Sequence, residues 1–294
     1  MRRQAGVALV IVLWALVLLS AVAVSYGTTV RSELRIARNH YDQAQAAMLA
    51  EAGVSLALFE LRRQVRADSD WVGRTQSLED DGSTINWSVR NGAGMVDINA
   101  AGPVLLDRLL QPVVADPGQR QQLVGAIEDW RDPDSLRRLN GAEARDYSAA
   151  GREYGPRNAP FAHPVELLQV LGMTPEVFHA IRPFLTTAGG LGGINPRYAP
   201  AQLLVWLEAG SAEEVDNYVA ARAAGSQAGL PGLDAAPQVF VAGTSNYYQI
   251  EASGRLDGGA GARLTALWET VDSAVNGGRL LTWAWGSEGE KYGD

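Results

Sequence analysis

From Val7 to Tyr26 the chain carries no charge and no proline, between a short polar leader, Met1 to Gly6, and an amphipathic stretch that continues to about Gln64. At the helical rise, a run of that length just crosses a hydrocarbon core of about 30 Å, so the pattern predicts a membrane span. Leu34, Ala37, Tyr41, Ala44, Met48, Ala52, Ser55 and Phe59 then recur at steps of three or four, the spacing of one helix face. Gly27 alone interrupts, and a continuous rod over the whole stretch would be roughly 90 Å long. The polar stretch from Asp68 to Gly82 reads as a loop. Ile85, Trp87 and Val89 alternate within Thr84–Arg90 as in a half-buried strand, Asn91-Gly92 signals a turn, and Met95–Ile98 reads as a second short strand. Short helices are expected over Pro103–Leu110, Gln119–Trp130, Pro164–Leu171 and Pro175–Leu185. After a glycine-rich joint, Gly189–Gly193, two more follow, Ala199–Glu208 and Ala212–Ala223. Alternation returns in Tyr247–Arg255, Arg263–Asp272 and Arg279–Trp285, joined by Asp257-Gly258-Gly259 and Asn276-Gly277-Gly278; Trp283 and Trp285 share a strand face and are expected in the core. A sheet split in sequence by helices predicts an α+β fold, a long N-terminal helix on a small antiparallel sheet with a large all-α insertion. The expected divisions are a leader at 1–6, a transmembrane segment at 7–26, a helix-and-strand part at 27–95, the insertion at 96–240 and closing strands at 241–294.

Arg2 and Arg3 precede the span, so the positive-inside rule keeps that end cytoplasmic and exports the rest, a single-pass inner-membrane topology. A cleaved secretory signal competes with this reading, because a basic end, an apolar run and small residues around Ala21–Ser25 also make a signal peptide. Against it, the run exceeds a usual signal core and the amphipathic pattern resumes within a turn of its end. None of the 294 residues is cysteine, which excludes disulfides and thiolate metal sites. From residue 66 onward 18 basic residues face 29 acidic ones, a negative field that repels nucleic acid and leaves carboxylates over for cations.

Those carboxylates concentrate. Asp129, Asp132, Asp134, Glu143 and Asp146, with Asn140 among them, fall within one glycine- and proline-bearing stretch, an oxygen-rich set suited to a hard cation such as calcium. The spacing is not that of an EF-hand. The same residues also read as helix caps and solvated loop charges, and composition alone leaves both readings standing. His40, His163 and His179 are scattered, with no nucleophile or metal-ligand partner at a recognised spacing, and no Walker loop, nucleophile elbow or dinucleotide fingerprint occurs. An enzymatic role is not expected.

Gln4-Ala5-Gly6 followed by Val7-Ala8-Leu9-Val10-Ile11 resembles the leader and start of type IV pilin-like proteins, in which a prepilin peptidase cuts after glycine and methylates the new N-terminus. The resemblance makes Gly6 and Val7 the processing site and Ile11 the fifth mature position, where most such proteins carry glutamate. That carboxylate is thought to meet the N-terminal amine of the subunit above, so a subunit with none above has no need of it. The departure is similar to that in the GspK family, minor pseudopilins at the tip of the type II secretion pseudopilus. Further along, Val96-Asp97-Ile98-Asn99-Ala100-Ala101 and Gly193-Ile194-Asn195-Pro196 resemble the starts of that family's two SAM-like helical units. Between Ile127 and Met173, the runs Asp129-Trp130-Arg131-Asp132-Pro133-Asp134, Asn140-Gly141-Ala142-Glu143, Tyr147, Tyr154, Arg157-Asn158-Ala159-Pro160-Phe161 and Glu166-Leu167 resemble its diagnostic order. The resemblance implies a pilin-like fold with a SAM-like insertion, structural calcium in the acidic stretch, and a role in protein export. It also implies I-like and J-like minor pseudopilins, the prepilin peptidase and the inner-membrane secretion platform as partners. Ala144 and Arg145 stand where relatives are often more acidic. The stripe Leu34, Ala37, Tyr41, Ala44, Met48, Ala52 and Phe59 would then pack on partner helices. A DNA-uptake role is the alternative, and the excess of acid speaks against it.

Overall fold

The computed structural model describes residues 5–64, 73–224, 229–230, 232–233, 236–271 and 277–286. Leader residues Met1–Gln4 and the expected loop as far as residue 72 lie outside the described residues, as do Asp272 and Asn276.

The first element, α1 (Ala5–Gln64), is one helix of 60 residues that runs through Gly27. It holds the one helix, among the described residues, long and apolar enough to cross a membrane; its most apolar window has a mean hydropathy of 2.6 and buries nothing against the protein. Only the second half meets the rest of the chain. Ala46, Ala50, Val54, Ala57 and Leu61 recur at helical spacing and are buried. They pack on a five-stranded antiparallel sheet of order β1-β2-β5-β6-β7, built from β1 (Thr75–Asp80), β2 (Ser83–Asn91), β5 (Tyr247–Leu256), β6 (Gly261–Thr270) and β7 (Gly278–Gly286). Alternation in β2, β5 and β6 turns Ile85, Trp87, Val89, Ile250, Ala252, Leu264, Ala266 and Trp268 onto the helix, and together these residues form one core. The polar Thr75–Asp80 segment, expected as loop, is strand β1: its side chains are mostly exposed, yet its backbone pairs with β2 from Thr75↔Ser88 to Asp80↔Ser83. Edge strands bury little and so need no apolar signature.

Trp283 and Trp285 correct another expectation. They lie opposite Ala266 and Leu264, hence on the helix-facing side of the sheet, but α1 covers β2, β5 and β6 and does not reach β7. The two rings therefore stay 40% and 50% exposed, edge to face at 6.4 Å.

Between β2 and β5 the chain leaves the sheet and builds the helical insertion: β3 (Val96–Asp97), α2 (Pro103–Leu110), α3 (Pro117–Arg131), α4 (Ala144–Ala149), α5 (Pro175–Ile181), β4 (Leu185–Thr186), α6 (Ala201–Trp206) and α7 (Ala212–Ala223). The short α4 was not legible in the sequence. Pro164–Gln169 is a 3-10 helix, and α5 ends at Ile181 because Pro183 cannot continue it. The insertion has a second, separate core running from Val96 to Phe240.

Its two units close in the same way. β3 pairs in parallel with β4 (Val96↔Leu185), ending the first unit where it began, and Ile194 makes an isolated parallel bridge to Phe240, closing the second. The internal repeat suggested by Val96-Asp97-Ile98-Asn99 and Gly193-Ile194-Asn195 is thus visible in strand pairing.

The insertion sits at the end of the sheet away from the apolar first half of α1. β5 runs antiparallel to α1: Gly254 lies against Ala46 and Ala50, while Trp268, paired with Tyr248 at the other end of β5, lies under Arg62 near the helix C-terminus. Asn91 and Tyr248, where the chain passes between sheet and insertion, are at that distal end.

Candidate functional site

The segment with the strongest motif content folds around two clamps and a ring cluster. Asp97 accepts from the Gly189 and Gly190 amides at 3.0 and 2.8 Å, fastening the start of the first unit to the glycine-rich joint that ends it. The Asn99 amide group donates to the Phe161 and Thr187 carbonyls at 3.0 and 3.1 Å and its oxygen accepts from the Phe161 N–H at 2.7 Å. The Arg131 guanidinium donates to the carbonyls of Ile98 and Ala101. Trp130, Tyr147, Tyr154 and Phe161, spread over about thirty residues, meet with ring centroids 5.9–6.5 Å apart. Tyr147 is fully buried; its hydroxyl accepts from the Leu171 N–H at 3.1 Å, and burial pushes its pKa up to about 12. Tyrosine here is a structural pillar.

The acidic stretch begins at the C-terminal turn of α3, which carries Asp129, and ends in α4. Asp129 is completely buried, and both its oxygens accept from the Arg138 backbone N–H at 3.3 Å. Asn140 adopts a left-handed φ of 66°, which puts Gly141 hard against the Asp129 carboxylate; a Cβ there would collide with it. Asp132 accepts from the Arg138 Nη2 at 2.8 Å, and the Arg138 Nε lies 3.5 Å from Asp129. Asp134 caps its own turn, accepting from the Leu136 N–H at 2.7 Å. Asp146 accepts from the Glu143 N–H and from Arg137 at 2.9 and 3.0 Å, and these bonds hold its carboxyl below the usual range.

The six residues expected to ligate a metal therefore split. Asp146 caps α4 and pairs with Arg137; the Asn140 amide leans on Gln121; Asp129 and Asp132 share Arg138. Among the described residues no group of three or more acidic or imidazole side chains forms a ready cage. Two acceptors nonetheless stay open: Asp132 Oδ1 and Glu143 Oε1 are buried without a hydrogen-bond partner, Glu143 being 8% exposed. Burial, and then the facing Asp129, Asp132 and Asp134, raise the Glu143 pKa; burial chiefly raises that of Asp129. Oxygen donors, two of them orphaned in a field of like charge, fit a hard cation. The counter-charges Arg137 and Arg138 were missed from sequence, although two adjacent arginines inside an acid run were the signal.

His163 Nδ1 accepts from the Val165 N–H at 3.2 Å, starting the 3-10 helix, and His179 packs beside Phe178. On α1 the stripe lies opposite the buried face: Leu34, Tyr41, Met48 and Phe59 are 55–68% exposed, Ala37 and Ala44 are exposed and Ala52 is partly covered. Gly6 and Val7 belong to the first turns of α1.

Residues 85–189 match the family model described as type II secretion system (T2SS), protein K. Over that stretch the chain is similar to type II secretion system protein K. Two curated relatives bear the same description: one of Escherichia coli (strain K12), 28% identical over 202 residues that make up 62% of this chain and 62% of the relative, and one of Dickeya chrysanthemi, 23% identical over 237 residues, 63% of this chain and 66% of the relative. The matches span less than two thirds of each relative's length. The crystal structure of the GspK-GspI-GspJ complex from the enterotoxigenic Escherichia coli type II secretion system contains a chain similar in fold, with a TM-score of 0.57 at 17% identity, over 87% of this chain and 99% of that one. The α+β fold with its helical insertion is therefore similar to that of a chain in this complex.

Proposed function

We propose that the chain is a minor pseudopilin at the tip of a type II secretion pseudopilus, where it starts or caps the filament for protein export across the outer membrane. The observation that carries this reading is the position of the insertion. It is grafted on the sheet end that lies at the C-terminal end of α1, so the bulk of the protein stands as far from the membrane-spanning half as the rod allows. A subunit stacking above would meet that bulk instead of a second rod, and Ile11, without a carboxylate, has no amine above it to bind. On this reading the prepilin peptidase cuts between Gly6 and Val7 and methylates Val7. The span then holds the subunit in the inner membrane with its N-terminus cytoplasmic, and the secretion platform feeds it into the filament. The role is mechanical, not catalytic, and the net negative exported part takes no nucleic acid.

Lateral assembly follows from α1. Apart from Ala52, which packs against the sheet core, its outward stripe is exposed, and an apolar helix face on a rod this long suits parallel packing against I-like and J-like partners. Replacing Tyr41 and Met48 together by aspartate should leave the fold and melting temperature unchanged, since both side chains are exposed. It should abolish co-purification with the I-like and J-like subunits from detergent extracts. Normal recovery of the ternary complex with this variant would overturn the stripe as the interface.

Calcium is the cofactor this reading takes. Asp132, Asp134 and Glu143 would hold it, with Asn140 beside them, and it would supply positive charge to a loop between helices that has no disulfide. A melting temperature of the full chain that rises in millimolar calcium supports this, and one that does not move removes it.

A further inference from the structure

The acidic loop already contains a cation. The Arg138 side chain, 47% exposed, reaches in from the surface between two carboxylates: Asp129 is fully buried and the Asp132 side chain is 14% exposed. Its Nη2 bonds Asp132 Oδ2 at 2.8 Å, its Nε faces Asp129 Oδ1 at 3.5 Å, and its own backbone N–H donates to both Asp129 oxygens. A buried carboxylate without a counter-charge is strongly destabilising, so the guanidinium and amide of one residue keep Asp129 tolerable there. One positive charge cannot answer the whole loop. The second oxygen of Asp132, Oδ1, is buried without a hydrogen-bond partner, and Glu143, 8% exposed, keeps Oε1 equally unmet. Arg137, the neighbouring cation, is committed to Asp146 at 3.0 Å on the α4 side.

We propose that Arg138 is a built-in competitor for the divalent cation: its guanidinium occupies Asp132, one of the carboxylates that would hold the metal, so the loop is held without metal and calcium enters only as the arginine swings out. This rests on the calcium reading above and deepens it, because it makes the metal requirement of this chain a property of one side chain. The exchange is physically open. Arg138 is tethered to its site through the backbone amide, which can stay on Asp129 while the half-exposed guanidinium moves to solvent. What calcium gains over arginine is the pair of orphaned acceptors, which the planar fork leaves unbonded but which suit a cation that takes six to eight oxygens in flexible geometry. The expected consequence is weak calcium binding in the natural chain and tight binding once the competitor is gone.

The test uses the full chain in detergent, with melting temperature read across a calcium titration from chelator upward and sodium chloride matched for ionic strength. Wild type is expected to melt almost as high in chelator as in low calcium, with a half-saturating concentration in the millimolar range. Arg138→Gln is expected to melt lower in chelator, to recover with calcium, and to reach half-saturation at a concentration at least tenfold below wild type. An Arg138→Gln chain that folds only with calcium would also support the proposal. Should Arg138→Gln fail to fold under either condition, Arg138→Lys, which keeps one charge without the fork, decides by the same titration: earlier half-saturation than wild type supports the exchange and an unchanged curve overturns it. If wild type and Arg138→Gln respond to calcium identically, the competitor role falls while calcium binding stands; if neither responds, both fall.

Discussion

Glu166 shows how one side chain can hold a turn, and its chemistry is directly testable by pH. It accepts from the Arg157 Nη1 at 2.9 and 2.8 Å and from the Ala162 and His163 N–H groups at 2.8 and 3.1 Å, so one carboxylate ties together the two sides of the bend through Asn158-Ala159-Pro160-Phe161, whose Phe161 is also held by Asn99. Burial works to raise its pKa, but these four hydrogen bonds outweigh burial and the net displacement is downward. A carboxylate whose folded pKa is depressed binds fewer protons folded than unfolded. Its stabilising contribution is therefore complete above the unfolded value of about 4.5 and is lost as the pH falls through the lower folded value. Glu166→Gln should cost about 1–2 kcal/mol at neutral pH, and the melting temperature of the variant should fall less steeply on acidification than that of wild type. Parallel acid curves for the two proteins would show that Glu166 is not the group responsible. Asn158 adopts a left-handed φ of 52° in the same bend, a conformation asparagine tolerates, whereas the part played by the Glu166 carboxylate depends on tertiary contacts that local sequence does not show.

At the scale of elements, the docking of α1 on the sheet depends on residues that lack side chains. Gly254 of β5 lies so close to the helix that a Cβ would strike the Ala46 carbonyl, the Leu49 Cβ and the Ala50 amide, while Gly53 of α1 would bring a Cβ to 2.9 Å from that of Ala252. Neither backbone can retreat without separating Val54, Ala57 and Leu61 from Trp87, Ile250 and Leu264. Gly254→Ala should thus destabilise the chain by about 1–3 kcal/mol, the usual cost of overpacking, read as a lower urea midpoint with unchanged slope; an unperturbed midpoint would mean the helix rides higher on the sheet. Here the limits of legibility have physical causes. Helix α2, helix α7 and strand β2 were readable within a residue or so because each carries apolar periodicity with a Pro, Ser or Gly boundary. Strand β1 and the exposure of Trp283 and Trp285 were not, because pairing at a sheet edge and the width of sheet that one helix can cover are tertiary facts. The acidic loop was legible as a set of carboxylates, but which of them answer to arginine depends on how the chain turns at Asn140-Gly141.

For the molecule as a whole, the decisive feature is that it has two hydrophobic cores joined by few strands of chain. One is the face between α1 and the sheet; the other fills the insertion from Val96 to Phe240. The chain crosses between them at Asn91-Gly92 and again at Ser245, where the buried Asn91 amide donates to the Ser245 carbonyl at 3.0 Å and its oxygen accepts from the Ala93 N–H at 2.8 Å. Loss of packing in one core has no apolar route into the other, so the two should unfold as separate cooperative units. Leu106 of α2 is 1% exposed in the insertion core. Truncating it to alanine should cost about 2–5 kcal/mol, which for a unit of this size lowers its transition by roughly 5–15 °C. Calorimetry of Leu106→Ala should then show one transition moved down and the other unmoved, with Gly254→Ala producing the reverse. A single transition that shifts as a whole in both variants would mean that the Asn91–Ser245 junction couples the cores. The insertion would then not be an independently stable block.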